Sequence, residues 1–238
     1  MRDRRLLLAA LAALVALALA ACGSSGSSGG SGGGGSPNGV AAKNANQIVA
    51  AATAAIDAVN TVRVTGSVKS GSRTIHLDLH LVSGKGATGS MAENGLSFKL
   101  ISVGGEAYIN GTPRFWHQFG GASAAQLLQG HWLRAPATTG DFASFSSLTN
   151  LHRLLTALLA HHGALSKGAT STLRGTPVIA VHDSARGGTL FVATTGKPYP
   201  LQISNQGASG GQLSFSEFNR SVTLTPPTNS IDITKLGG

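Results

Sequence analysis

His76, Asp78 and His80 carry the imidazole and carboxylate groups that metal sites and acid–base catalysis use. They alternate with apolar residues, so all three project from one face of a single predicted strand. Neighbouring members stand about 7 Å apart, because a strand rises about 3.4 Å per residue. That separation is wide for chelating one small ion. We therefore interpret the trio as a solvated strand face and keep an enzyme or metal site built on it as a remote alternative.

Three other short motifs are weak as catalytic signals. Residues 207–211 match G-x-S-x-G, but a nucleophile elbow needs a helix after the serine and this stretch lies between two predicted strands. His161–His162 falls at a predicted helix end, where a cation interacts favourably with the dipole, and His182–Asp183 ends a predicted strand. No phosphate loop or dinucleotide fingerprint is found in the sequence. We therefore predict no catalytic residue, metal ligand or cofactor, and a protein that is not an enzyme.

The single cysteine, Cys22, follows a segment with the features of a signal peptide. Arg2, Arg4 and Arg5 give a positive start, and residues 6–21 are all Ala, Leu or Val. This apolar run is shorter than the roughly 20 residues that cross a bilayer as a helix. A charged start, a short apolar run and a small-residue exit predict a secretory signal peptide over residues 1–21.

The exit sequence Leu19-Ala20-Ala21-Cys22 resembles the lipobox of bacterial lipoproteins, in which the cysteine thiol receives a diacylglycerol before a peptidase cuts ahead of it. The resemblance implies that Cys22 carries fatty acyl chains of the palmitate type. Two or three such chains anchor a protein lastingly, at about 0.8 kcal/mol per buried CH₂. The alternative is an ordinary secretory signal with a stray cysteine.

Residues 22–39 are predicted to be the lipidated cysteine and a flexible linker, because positions 23–36 are all Gly or Ser. Residues 40–238 then form one folded domain on the extracytoplasmic side of the cell membrane. This domain has no cysteine, so it has neither disulfides nor thiolate metal sites.

The net charge is +9, with scattered cations. Nucleic acid is therefore a poor partner, whereas anionic lipid headgroups or simple solubility explain the charge.

Hydrophobic periodicity organises the domain as helix, strands, helical insert and strands. A helical period covers residues 40–60, and a second predicted helix runs from Asp141 as N-cap to Gly163, with a shorter helical piece near residues 122–129. The pattern is less regular over residues 112–140, and period-two segments, separated by turn signals such as Asn94–Gly95, fill the remainder. Hairpins favour an antiparallel sheet, and about ten strands should curl rather than lie flat.

This layout is similar to that of the actinobacterial lipoproteins of the LppX/LprG type, which share a fold with the LolA/LolB lipoprotein carriers. The stretches that carry the resemblance are "VGGEAYINGTPRFW" (103–116), "LFVATTGKPYPLQISNQGASGGQLSFSEFN" (190–219) and "VTLTPP" near the end. The resemblance implies an α+β fold. Its antiparallel sheet would be strongly curved into a half-barrel, with helices covering the concave face and enclosing an apolar cavity for acylated lipids.

Periodicity alone leaves two alternatives open: helices packed on the sheet as an ordinary core, or layers that enclose a dry cavity. The resemblance favours the cavity, with the helix 142–159 as its lid. The predicted ligand-binding residues are Val62, Val64, Leu77, Leu79, Leu96, Phe98, Leu100, Phe142, Phe145, Leu151, Leu155 and Leu158.

The predicted function is that of an exported, membrane-anchored lipoprotein that binds a lipid or glycolipid and carries it across the cell envelope. A membrane transporter is a further candidate partner. The alternative is a non-catalytic envelope module, structural or sensory, that docks a protein partner and has a filled core.

Overall fold

The computed structural model describes residues 35–70, 72–138, 149–160, 162–205 and 210–235. The predicted signal peptide, Cys22 and most of the predicted linker lie outside the described residues. So do His161, residues 207–209, and the part of the second predicted helix that holds Asp141, Phe142 and Phe145. The domain boundaries at residues 21 and 39 therefore stay predictions.

Twelve strands form one sheet. In chain order they are β1 (Thr61–Ser70), β2 (Arg73–Val82), β3 (Gly86–Glu93), β4 (Leu96–Val103), β5 (Glu106–Gly111), β6 (Trp132–Pro136), β7 (Leu165–Leu173), β8 (Thr176–Asp183), β9 (Gly188–Ala193), β10 (Pro200–Asn205), β11 (Gly211–Ser216) and β12 (Ser230–Asp232). Their spatial order is β12-β6-β5-β4-β3-β2-β1-β11-β10-β9-β8-β7. The pair β1 and β11 lies near the centre of the sheet. The first series of strands, β1–β6 with β12, lies on one side of the contact between them, and the second series, β7–β11, lies on the other.

The sheet is curved and unclosed, and with three helices it forms the predicted α+β half-barrel. It has twelve strands where the sequence predicted about ten. The short strand β12 lies parallel to β6, while the other described pairs are antiparallel, as predicted. Asn94 and Gly95 have φ of 50° and 76°. Positive φ at both residues agrees with the type I′ turn that the Asn–Gly pair predicts.

The described residues contain three α-helices: α1 (Ala45–Asp57), α2 (Pro113–Leu128) and α3 (Leu151–Ala160). The first begins five residues later than predicted, because Asn44 and Gln47 form a reciprocal capping box and residues 40–42 form a short 3-10 turn. None of the described helices is long and apolar enough to cross a bilayer. The described part of α3 ends at Ala160, three residues before the predicted stop at Gly163.

Helix α2 begins at Pro113, nine residues before the helical piece that the sequence predicted. The Thr112 hydroxyl accepts a hydrogen bond from the Phe115 amide at 3.3 Å, and proline suits the first helical position. Gly121 has φ 74° and ψ −170°, so it breaks α2 into two helical segments. The aromatic pair Phe115–Trp116 therefore lies on a helix rather than in an irregular connection.

The buried side chains form two clusters on the same face of the sheet. The central cluster lies where α1 and α3 pack against the middle strands, and its largest fully buried members include Ile48, Ile56, Leu79, Leu81, Leu151 and Leu155. The peripheral cluster lies under α2 and consists of Leu100, Ile109, Phe115, Trp116, Leu128 and Leu133. Phe98 packs against both clusters, so the two are continuous.

Asp232 secures the edge strand β12. Its carboxylate accepts hydrogen bonds from the Thr234 hydroxyl at 2.7 Å and the Thr234 amide at 3.0 Å, and it pairs with Arg134 on β6. The hydroxyl of Thr234, followed by Arg134, lowers the pKa of Asp232 to about 2. A carboxyl in the unfolded chain has a pKa of about 3.9. Asp232 therefore stabilises the fold above about pH 4, and this contribution is lost as the pH falls from about 4 to about 2.

We expect Asp232→Asn to flatten the pH dependence of stability in that window. Urea unfolding at stepped pH values measures it, and Asp57→Asn, at the exposed end of α1, is the control. A profile for Asp232→Asn that matches that of the unsubstituted chain would contradict the role given to Asp232.

Candidate functional site

The structure places five of the predicted ligand-binding residues in the central cluster. Val62, Val64, Leu79, Leu151 and Leu155 are each at most 1% exposed. Val64 lies opposite Leu79 on β2, and both contribute to the packing between the sheet and the helices. Side chains in this state fill space rather than line an opening.

The other predicted residues are spread over both clusters. Leu77 and Phe98 are partly buried against the central cluster, whereas Leu100 and Leu96 belong to or flank the peripheral cluster. Leu158 lies on α3, but its side chain is outside the described part of the structure, as are Phe142 and Phe145. The structure thus brings the described residues onto one face, and their role in ligand binding stays a prediction.

A cavity of about 230 Å³ lies between α1, α3 and the strands β7–β10. Six of its lining residues are apolar: Val49, Leu159, Leu165, Val181, Leu190 and Ile203. The others are His162, Asp183, Arg186, Gly188, Thr189 and Asn205. None of the nine predicted ligand-binding residues whose side chains the structure describes lines this cavity. The strands that line it are β7–β10, whereas the predicted ligand-binding residues on strands belong to β1, β2 and β4.

Asp183 lines the cavity and forms a hydrogen bond with the chain just after α3. Its carboxylate accepts hydrogen bonds from the backbone amides of Gly163, Ala185 and Arg186, at 3.1, 3.0 and 3.1 Å. Burial alone would raise the pKa of Asp183, but the three amide bonds and the charge of Arg186 outweigh it and lower that pKa. Asp183 is therefore an anion at neutral pH whose main role is to fix the chain that follows α3.

The other end of α3 is held by side chains as well. The Asn150 side chain accepts a hydrogen bond from the Arg153 amide at 3.0 Å, which caps the helix. His152 Nε2 lies 2.9 Å from the Ser83 hydroxyl in the turn between β2 and β3. Hydrogen bonds at its two ends and the packing of Leu151, Leu155 and Leu159 therefore hold α3 over the sheet.

A second cavity, of about 510 Å³, lies between turns rather than between helices and sheet. It is lined by Gly84, Lys85, Val103, Gly104, Val222, Thr223 and Leu224. Only three of these side chains are apolar. The first cavity has six apolar side chains against three here, and it lies between helices and sheet. Because binding a hydrocarbon group requires apolar contacts, we take the first cavity as the candidate site.

The predicted strand face of His76, Asp78 and His80 carries an ion-pair network. Arg63 on β1 donates two hydrogen bonds to Asp78, at 2.8 and 2.7 Å, and one to Glu217 at 3.0 Å. The hydrogen bonds from Arg63 are the largest cause of a lowered pKa at Asp78. The described residues contain no group of three or more His, Cys, Asp or Glu that could hold a metal ion. The network therefore joins β1, β2 and the residue after β11.

Comparisons with known proteins place the fold. No family model and no curated protein matches the sequence significantly. Among solved structures, LprF from Mycobacterium bovis matches with a TM-score of 0.54 and 14% identity, covering 81% of this chain and 99% of LprF. The lipoprotein LppX from Mycobacterium tuberculosis has a TM-score of 0.49 and 18% identity, covering 76% of this chain and 99% of LppX.

The chain has the LppX/LprG-type fold. The predicted resemblance is thus confirmed at the level of architecture. The described residues correspond to nearly the full length of LprF, so the likeness extends over both series of strands. At such low identity the likeness shows the fold alone, and the chemistry of the site is judged from this chain.

Proposed function

We propose that the chain is an exported lipoprotein, anchored through Cys22, that binds an acylated lipid and carries it across the cell envelope without bond chemistry. The observation that supports this most is the cavity between α1, α3 and β7–β10, with its six apolar side chains and its polar side chains from His162, Asp183, Arg186, Thr189 and Asn205. Apolar walls with a few polar groups suit a molecule with a hydrocarbon tail and a polar head.

The cavity volume limits how much of a lipid fits without rearrangement. About 230 Å³ exceeds an apolar cavity of about 150 Å³ that holds benzene. It is smaller than the roughly 300–1,000 Å³ of pockets that enclose drug-sized ligands. The closed form therefore accepts part of one acyl chain. To admit a longer acyl chain, α3 must move away from the sheet as a lid. This helix has ten residues and is held by its packing and by hydrogen bonds at its ends.

Uptake and release of such a ligand are close to balanced. Each CH₂ gains about 0.8 kcal/mol on leaving water, and the same gain holds it in a membrane. A cavity that offers a similar environment therefore binds a lipid without trapping it. This balance suits a carrier that collects a lipid at one membrane and delivers it to another acceptor, with a membrane transporter as a candidate donor or partner.

In this proposal residues 1–21 direct export, and residues 22–39 hold the domain to the extracytoplasmic side of the cell membrane. Residues 40–238 form the lipid-binding domain. The alternative, an envelope module that docks a protein partner, draws support from the central cluster, where Val62, Val64 and Leu79 are fully buried. The two proposals differ in whether the domain carries a lipid at all.

Filling the cavity should abolish lipid uptake. Ile203 is partly buried and lines the cavity, so in Ile203→Trp the indole would occupy space that an acyl chain needs. We expect at least about tenfold less co-purified or added lipid, the loss that about 1.4 kcal/mol produces. Native mass spectrometry of the chain from Gly35 onward measures it, since both buried clusters lie within this part of the sequence.

Ile75→Trp is the matched control, because Ile75 is also partly buried against the central cluster but does not line the cavity. It should retain lipid, and both variants should give the circular dichroism spectrum of the unsubstituted domain. A domain that carries no lipid before substitution would favour the protein-docking alternative. Equal uptake by the two variants would move the lipid site away from this cavity.

A further inference from the structure

Helix α2 carries two large apolar side chains on its outer surface. Phe119 is 69% exposed and Leu127 is 49% exposed. Elsewhere in the described residues, the one large apolar side chain of comparable exposure is Ile233, at 37%. Two such side chains on one helix are unusual for a protein whose other large apolar groups are covered, and they indicate a contact surface.

The exposure of Phe119 follows from the way α2 is built. Phe115 and Trp116 belong to the peripheral cluster, and the ring of Phe119 packs at a tilt of 44° against that of Phe115, with centroids 4.7 Å apart. The break at Gly121 then redirects the helix, so that its second segment buries Leu128. Phe119 thus projects at the end of a short, supported helical segment.

The stretch of sequence that contains α2 carries positive and no negative charge. It has no Asp or Glu between Glu106 and Asp141, and the exposed Arg114 lies at the start of α2. The whole chain has a net charge of +9. A partner for the exposed Phe119, Leu127 and Arg114 would therefore offer both apolar contacts and negative charge.

We propose that α2 docks on an anionic membrane surface, with Phe119 and Leu127 inserted below the headgroups and Arg114 among the phosphates. Amphipathic helices bind membranes in this way, through buried apolar side chains and attraction to anionic lipids. A protein partner fits less well. A stable protein interface buries about 800 Å² per partner, whereas the residues between Phe119 and Leu127 are small or polar. This surface is separate from the cavity, since no residue of α2 lines it.

The test is binding of the chain from Gly35 onward to vesicles of equal parts phosphatidylglycerol and phosphatidylcholine, by flotation. We expect the domain to bind these vesicles and the binding to weaken as salt is added. Phe119→Ser should weaken the binding about tenfold, which is the effect of removing one buried aromatic side chain. Ile233→Ser removes an exposed apolar side chain outside α2 and should change binding less than about twofold. Arg114→Gln should weaken binding to these vesicles but not to phosphatidylcholine alone.

The outcomes separate this proposal from the lipid cavity. Ile203→Trp should still bind vesicles, because it alters the cavity and not α2. Absence of vesicle binding, or equal losses in Phe119→Ser and Ile233→Ser, would overturn the membrane proposal. A concentration-dependent dimer in sedimentation that Phe119→Ser abolishes would instead assign the surface to a second copy of the chain.

Discussion

Gly66→Ala should prevent the domain from folding stably. Gly66 lies on β1 with φ 143°, opposite Leu77 on one side and Leu213 on the other. A Cβ at this position would lie 1.9 Å from the carbonyl oxygen of Gln212. The obstacle is the backbone of β11, so no side-chain rotation relieves it. We expect a loss of about 4 kcal/mol or more in the free energy of unfolding, which is a large fraction of the roughly 5–15 kcal/mol that stabilises an ordinary domain.

Two other glycines provide graded controls. Gly188 has an ordinary φ, and the nearest atom to an added Cβ is 3.8 Å away, so Gly188→Ala should change stability by less than about 0.5 kcal/mol. Gly84 has φ 66° with open space around it, so Gly84→Ala should cost about 1 kcal/mol from backbone strain alone. Urea unfolding followed by tryptophan fluorescence gives all three values. Gly66→Ala with the stability of Gly188→Ala would show that β1 and β11 do not pair in this register.

Leu155→Ala should cost about 2–5 kcal/mol of stability, the range for emptying a buried leucine site. Leu155 is 1% exposed and packs with Leu151 and Leu159 against the central cluster. The loss would show that α3 belongs to the core in its closed position. If α3 is also the lid proposed above, its opening is costly, and bound lipid would have to offset that cost.

The control for Leu155→Ala is Leu127→Ala, which removes the same atoms from an exposed site on α2. It should alter the free energy of unfolding by less than about 0.5 kcal/mol. A loss below about 1 kcal/mol for Leu155→Ala would mean that α3 lies loosely on the sheet. The lid would then open without a ligand, and the domain should also take up lipid faster.

Local patterns in the sequence predicted most of the strands. Period-two alternation located β1 and β2, and the Asn94–Gly95 pair located the turn between β3 and β4, because each depends on neighbours in the chain. Helix α2 was only partly predicted. Its first segment consists of aromatic residues followed by two glycines, which suppress the helical period, and the cap at Thr112 was the missed signal.

The candidate site was harder to predict from the sequence than the strands were. The prediction chose the alternating apolar residues of β1, β2 and β4 as walls, and these fill the two clusters instead. The cavity arises where Val181, Leu190 and Ile203 leave space beneath Val49 and Leu159. Such a gap depends on how residues distant in sequence fit together, and periodicity contains no information about volume.

The position of β1 beside β11 has a consequence for biogenesis. Val64 and Phe215 are neighbours in the centre of the sheet, although about 150 residues separate them in the sequence. Contacts between residues so far apart in sequence raise the contact order and slow folding. Until the last quarter of the polypeptide is available, β1 has an open edge and the two halves of the sheet cannot join. In the export route proposed above, this delay would help the chain to cross a translocation channel in an extended state, because the two parts of the sheet join only after β11 has emerged.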